Sequence, residues 1–150
     1  MFKSILVPVD IGETELAQSA LAKAAEIAKA GSALLKLTYV RSPVPYAMNE
    51  YIPAEYYDSD EKAALKTLEN LAAKLGLPKD RVSFSSPFGS AYDEVLREAA
   101  AAKADLIVVG SHRPNWSTYL IGSNATKIVR HALCSVLVVR PPPDAPRPSV

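Results

Sequence analysis

At 150 residues, 49% of them apolar and 22% charged, the chain has the length of one domain and can form a core without disulfides or structural metal. Its formal net charge of +1 lacks the basic excess of a nucleic-acid binder. The single cysteine, Cys134, excludes an internal disulfide framework and a four-thiolate zinc site, and fits a reducing compartment.

Residues 3–10 (KSILVPVD) are a short apolar run followed by the turn residue Gly12, the pattern of a strand buried on both faces of a parallel sheet. Residues 15–30 repeat apolar positions at helical spacing (Leu16, Ala20, Leu21, Ala24, Ile27, Ala28), with Thr14 as N-cap and Gly31 at C′. Residues 33–40 (ALLKLTYV) read as a second strand. Residues 41–58 form a connection of 18 residues holding four of the seven tyrosines, long enough to be either functional or mobile. An amphipathic helix is predicted over residues 60–75, with Ala64, Leu65, Leu68, Leu71, Ala72 and Leu75 on one side and Asp58 and Glu61 at capping-box spacing.

Residues 81–85 (RVSFS) are a short, alternating strand suited to a sheet edge. Ser90 is predicted to cap a helix over residues 91–102, with Asp93 three positions on. A strong strand (ADLIVVGS, residues 104–111), a helix over residues 124–133 capped by Ser123, and a last strand from Ser135 to Arg140 (SVLVVR) complete the folded part. The final ten residues, PPPDAPRPSV, carry five of the twelve prolines and no apolar periodicity, so residues 141–150 are read as a disordered tail outside a domain spanning 1–140. No stretch approaches the roughly 20 apolar residues of a membrane span. The opening MFKSILVPVD has no signal-peptide pattern, so a cytoplasmic protein without membrane contact is expected.

Strict β–α alternation implies an α/β fold: an open five-stranded parallel sheet with helices on both faces. Right-handed crossovers favour the order 3-2-1-4-5. Strands 1 and 4 are then central neighbours whose connections leave to opposite faces, and ligands of such sheets bind beyond the strand carboxyl ends at that point. Two segments therefore form the predicted site, the turn after Val9 and the loop after Val109.

Asp10, at the end of the first strand, must either face that crevice, where its carboxylate suits ribose hydroxyls, or cap the following turn. In GSHRPNWSTYLIGSNA, Gly110 allows close approach of the backbone to a ligand and Gly122 permits a turn. Ser123 and Asn124 open a helix whose free amides favour an anion, and Arg113 can add a bidentate phosphate contact. The same features also suit an ordinary strand-to-helix turn. His112 lies either beside the phosphates or on a plain surface loop. His131, in a helix's last turn, suits the dipole there. Cys134 reads as a small packed side chain rather than a nucleophile, and Trp116 and Tyr119 as residues that hold the loop down. The P-loop, GxGxxG, GxSxG and HExxH motifs are absent.

With these residues in view, the chain resembles the universal stress protein family from Met1 to Arg140. The resemblance rests on ILVPVD and on DLIVVGS…GSNA…VRHALCSVLVVR, and SHRPNWSTYLIGSNA is similar to the F/G-type branch. It implies the five-stranded fold above (adenine nucleotide alpha hydrolase-like), a homodimer through the last strand, Ser135 to Arg140, with higher oligomers open, and ATP held by a GxxGx9G[ST] signature. Gly110 matches the first glycine, and Gly122 with Ser123 the closing pair. Arg113 replaces the middle glycine, and the stretch 114–121 has eight positions where the signature has nine. By the same resemblance Pro8, Val9 and Asp10 lie along adenine and ribose, and Val40 contacts the base.

The expected function is that of an ATP-binding stress-response protein of micromolar affinity, about −8 kcal/mol. Mg2+ or Mn2+ would be carried on the ATP phosphates, since no carboxylate cluster is evident. The alternative is a dimeric protein-interaction module with a vestigial nucleotide site. No catalytic base for a γ-phosphate is recognisable, so at most slow ATP hydrolysis or self-modification is expected. Neither a nucleic acid nor a membrane is an expected partner.

Overall fold

A computed structural model describes residues 1–12, 14–42, 52–111 and 123–140. Its strands are β1 (Ser4–Pro8), β2 (Leu34–Thr38), β3 (Val82–Ser85), β4 (Leu106–Gly110) and β5 (Ser135–Val139), and its helices are α1 (Thr14–Gly31), α2 (Ala54–Ala73), α3 (Ala91–Ala101) and α4 (Ser123–His131). All pairings are parallel and the order is β3-β2-β1-β4-β5, as predicted.

Alternation along the central strands divides the apolar residues between two layers. Ile5, Val7, Leu35, Leu37, Leu106 and Val108 pack with α1 and with Leu68 and Ala72 of α2. Leu6, Ile107 and Val109 pack on the opposite face with Val95 and Ala99 of α3 and Ala125 and Ile128 of α4. Because β1 and β4 are covered on both sides, nearly every side chain is buried, which explains why ILV and LIVV lack polar alternation. Each buried Leu, Ile or Val contributes roughly 1.5–3 kcal/mol relative to exposure.

Three local expectations are corrected. Gly31 is the last helical residue rather than C′, and Ser32 takes the left-handed conformation (φ 55°). The glycine instead serves a close approach: a Cβ there would lie 3.1 Å from Met1 Cε and 3.3 Å from the Phe2 carbonyl oxygen. The second helix begins at Ala54, not Asp60, so Tyr56, Tyr57 and Asp58 belong to it and the connection after β2 is shorter than read. Pro53, at φ −60° and ψ 148°, precedes it without a side-chain cap, and Glu55 supplies first-turn negative charge, so the Asp58–Glu61 pair does not start this helix. Ser90 does stand at the N-cap of α3, but its side chain makes no cap hydrogen bond.

Polar clamps close the end of the sheet away from the site. Asp105 accepts the backbone amides of Lys3 (2.8 Å) and Ser4 (3.0 Å), fixing the start of β1 against β4. Arg81 donates through Nη2 to the carbonyls of Ala28 (2.6 Å) and Ala33 (2.9 Å), tying β3 to the end of α1. Residues 141–150, read as a tail, lie outside the described residues.

Candidate functional site

The two central strands part before their carboxyl ends. Pairing between β1 and β4 stops at Leu6↔Ile107, while β1 stays paired to β2 as far as Pro8↔Thr38 and β4 to β5 as far as Gly110↔Val139. The gap opens a cavity of about 300 Å3, at the small end of the range for small-molecule sites. It reaches both helix layers, being bordered by Ala17 of α1 on one side and by Ala91 and Val95 of α3 on the other.

Pro8, Val9, Asp10, Val40, Gly110 and Asn124 line this cavity together. Val9 is held there by its amide, which donates to the Thr38 carbonyl at 2.8 Å. Asp10 does both things the sequence allowed: it borders the cavity, and its Oδ1 accepts the Gly12 amide at 2.9 Å. Asn124 stands in the first turn of α4, where helix amides lack intrahelical partners. His112, Arg113 and Gly122 lie outside the described residues, as do Trp116 and Tyr119. Ser123 is the first residue of α4 rather than the residue before it.

Thr38, Tyr39, Ser42, Ala91, Val95 and Ile128 also border the cavity and were not singled out from the sequence. Tyr39 alternates away from Val40 and packs with the α1 layer, so strand periodicity hid it; it meets the cavity because the cavity crosses between the layers. Burial pushes its phenol above the ordinary value, the negative charges of Asp10 and Asp60 add to the rise, and Arg41 opposes it. Tyr39 is therefore a neutral hydroxyl at pH 7. The helix residues carried a burial signal, but nothing local to say which compartment they wall.

Beside the cavity, Arg41 is buried and ties three segments together. Its Nε and Nη2 donate to the Ser86 carbonyl (3.0 and 2.8 Å) and its Nη1 to the Tyr57 carbonyl (3.3 Å). Asp60 and Glu61 lie 3.6 and 3.7 Å from the guanidinium, which also stands over the Phe88 ring. This hub orders the chain as it leaves β2. Ser111, next to Gly110, is buried, and its hydroxyl has no hydrogen-bond partner among the described residues.

The remaining candidates are remote from chemistry. His131 packs beside Tyr92, with ring centroids 6.2 Å apart. Cys134 is half-buried; burial raises its thiol above the ordinary value, with Asp105 acting in the same direction against a backbone hydrogen bond. Such a thiol is a poor nucleophile at neutral pH. Among the described residues, no three His, Cys, Asp or Glu side chains gather as a metal site, and no helix is long and apolar enough to cross a membrane.

Fold and cleft together define a class: an open, doubly wound α/β protein of the adenine nucleotide alpha hydrolase-like fold, with its cleft at the topological switch point. The model of the Universal stress protein family matches residues 1–140, and the chain belongs to that family. It is 31% identical over 142 residues to Universal stress protein G of Shigella flexneri, covering 93% of this chain and 100% of that one. Among solved structures, the universal stress protein UspA from Lactobacillus plantarum superposes with a TM-score of 0.74 at 26% identity, over 92% of this chain and 97% of the other. A universal stress protein in complex with cAMP has the same fold, with a TM-score of 0.69 at 24% identity, over 92% and 97% of the two chains.

Proposed function

We propose that this protein binds an adenine nucleotide, ATP in the first instance, and acts through that binding as a regulatory stress-response protein of the cytoplasm. The observation that carries the reading is the convergence of Asp10, Val40, Gly110 and Asn124 on one cavity between the parted ends of β1 and β4. An acidic group stands on one strand's exit and the start of a helix on the other's. A nucleoside phosphate has complementary ends: hydroxyls that donate to a carboxylate, and an anion that accepts from helix amides.

In this reading Pro8, Val9 and Val40 cover the base and Asp10 takes the ribose hydroxyls. The phosphates lie toward Gly110 and the start of α4, where His112, Arg113, Gly122, Ser123 and Asn124 contribute. Mg2+ or Mn2+ would neutralise phosphate charge and be held by phosphate oxygens. The fold accommodates an adenine nucleotide in the relative complexed with cAMP, which supports the class of ligand.

Titration calorimetry of the full chain with ATP and magnesium tests the proposal. Micromolar affinity is expected, about −8 kcal/mol. Absence of heat up to millimolar ATP, with a folded protein by circular dichroism, rejects it.

A further inference from the structure

We propose that the aromatic face at the start of α2 is a docking site for the chain's own proline-rich residues 141–150, with Arg147 drawn to the carboxylates beside it. Three rings form that face. The Tyr57 ring stands edge-on to both Tyr56 and Phe88, with centroids 5.8 Å apart in each pair. Tyr56 and Phe88 nevertheless remain 49% and 43% exposed.

The rings rest on a fixed support. Phe88 is held by its neighbours, since the Arg41 amide donates to the Pro87 carbonyl at 2.8 Å and the Gly89 amide to the Arg41 carbonyl at 2.9 Å. Arg41 Nη1 donates to the Tyr57 carbonyl and fixes the helix side of the face. The buried residues of α2 are Ala64, Leu68 and Ala72, so its first turns carry their rings and charges outside the core.

The rim of the face is acidic. Glu55, Asp58, Asp60 and Glu61 fall within the first eight residues of α2, and no basic residue stands among them. Asp60 and Glu61 face Arg41 at 3.6 and 3.7 Å. Glu55 and Asp58 have no ion-pair partner among the described residues. An aromatic face beside uncompensated carboxylates suits a segment that is both apolar and cationic.

Residues 141–150 have that chemistry: five prolines, with Arg147 between Pro146 and Pro148. A proline-rich segment needs no core to dock. Its extended polyproline II form is set in advance, so packing its rings on aromatic side chains costs little entropy. The reach also fits. β5 ends at Val139 and β3 at Ser85, both at the carboxyl edge of one parallel sheet and four strand spacings apart, about 19 Å. At about 3.1 Å per residue, about six residues cover that span. Counted from Arg140, they bring Pro146, Arg147 and Pro148 to the β3 edge, where Phe88 follows the strand.

Nuclear magnetic resonance of the full chain is the test. Nuclear Overhauser contacts are expected between the Pro146 or Pro148 ring protons and the rings of Tyr56 or Phe88. Backbone order parameters of Ala145 and Arg147 should exceed about 0.6, the level below which a segment counts as flexible. Tyr56→Ala should drop both below that level. So should the charge reversal Glu55→Lys with Asp58→Lys, which leaves the rings in place. Circular dichroism checks that each variant folds, and the contacts in the unmodified chain need no variant. Order parameters below about 0.6 without these contacts in the unmodified chain overturn the proposal. Unchanged order in both folded variants also overturns it. Contacts seen only between labelled and unlabelled copies of a mixed sample place the segment on a second copy and overturn docking within one chain.

Discussion

Asp10 accepts the backbone amide of Gly12 through Oδ1 at 2.9 Å while bordering the cavity between β1 and β4. One carboxylate thus shapes the turn after β1 and faces the ligand cleft, and the two roles separate by substitution. Asp10→Asn keeps an oxygen for the Gly12 amide but removes the charge. It should leave stability within about 0.5 kcal/mol and weaken ATP roughly tenfold. Asp10→Ala removes both and should also cost about 1 kcal/mol. Urea melts with calorimetry separate the effects; full ATP affinity in Asp10→Asn would remove Asp10 from the ribose.

Asp105 predicts an acid-dependent stability term. Burial alone would raise its carboxyl, but the amides of Ser4 and Lys3 outweigh that and hold it below the usual carboxylate value. A carboxyl lowered in the folded state stabilises above its unfolded pKa, near 3.9, and that contribution disappears as pH falls through the folded value. Asp105→Ala should therefore lose about 1–3 kcal/mol at pH 7 and markedly less near pH 3. Urea midpoints at the two pH values measure the difference, and an equal loss at both contradicts the account.

Arg41 should be irreplaceable by lysine. Its planar guanidinium reaches the Ser86 and Tyr57 carbonyls and stands over Phe88, a geometry one ammonium cannot reproduce. Both Arg41→Lys and Arg41→Ala should lose about 2 kcal/mol, roughly 4–8 °C in Tm for a domain of this size. Thermal melts followed by circular dichroism decide; an Arg41→Lys melt matching the unmodified chain sinks the argument.

The last strand bears on assembly. Among the described residues β5 pairs only with β4, and four of its five residues, Val136 to Val139, are half-buried apolar side chains. Such an edge invites pairing with a second copy about a two-fold axis. Light scattering at micromolar concentration should give twice the chain mass of 16.1 kDa. A single-chain mass would argue against this edge as an interface.

The sheet was legible because its signal is local. ILV and LIVV are apolar without alternation, which only strands covered on both faces require, and the β–α alternation with right-handed crossovers left few orders to consider. Asp10 and Gly110 could be found because each sits at a strand's exit beside the predicted switch point. The start of α2 was misread because Asp58 and Glu61 match a capping pattern, whereas the helix begins six residues earlier than Asp60, after Pro53 and without a side-chain cap.

By itself, the sequence determined which residues are apolar, at what period they recur, and where glycine, proline and acidic residues interrupt them. Those properties belong to a residue and its near neighbours, and they suffice for the element order and the place of the cleft. Tertiary packing decided the rest: that β1 and β4 stop pairing at Leu6 and Ile107, that Tyr39 and Val95 reach one cavity from opposite layers, and that Thr38, Ser85, Glu98 and Lys36 join in one hydrogen-bonded chain. These relationships link residues as many as 101 positions apart, from Leu6 to Ile107, and no periodic signal spans that distance.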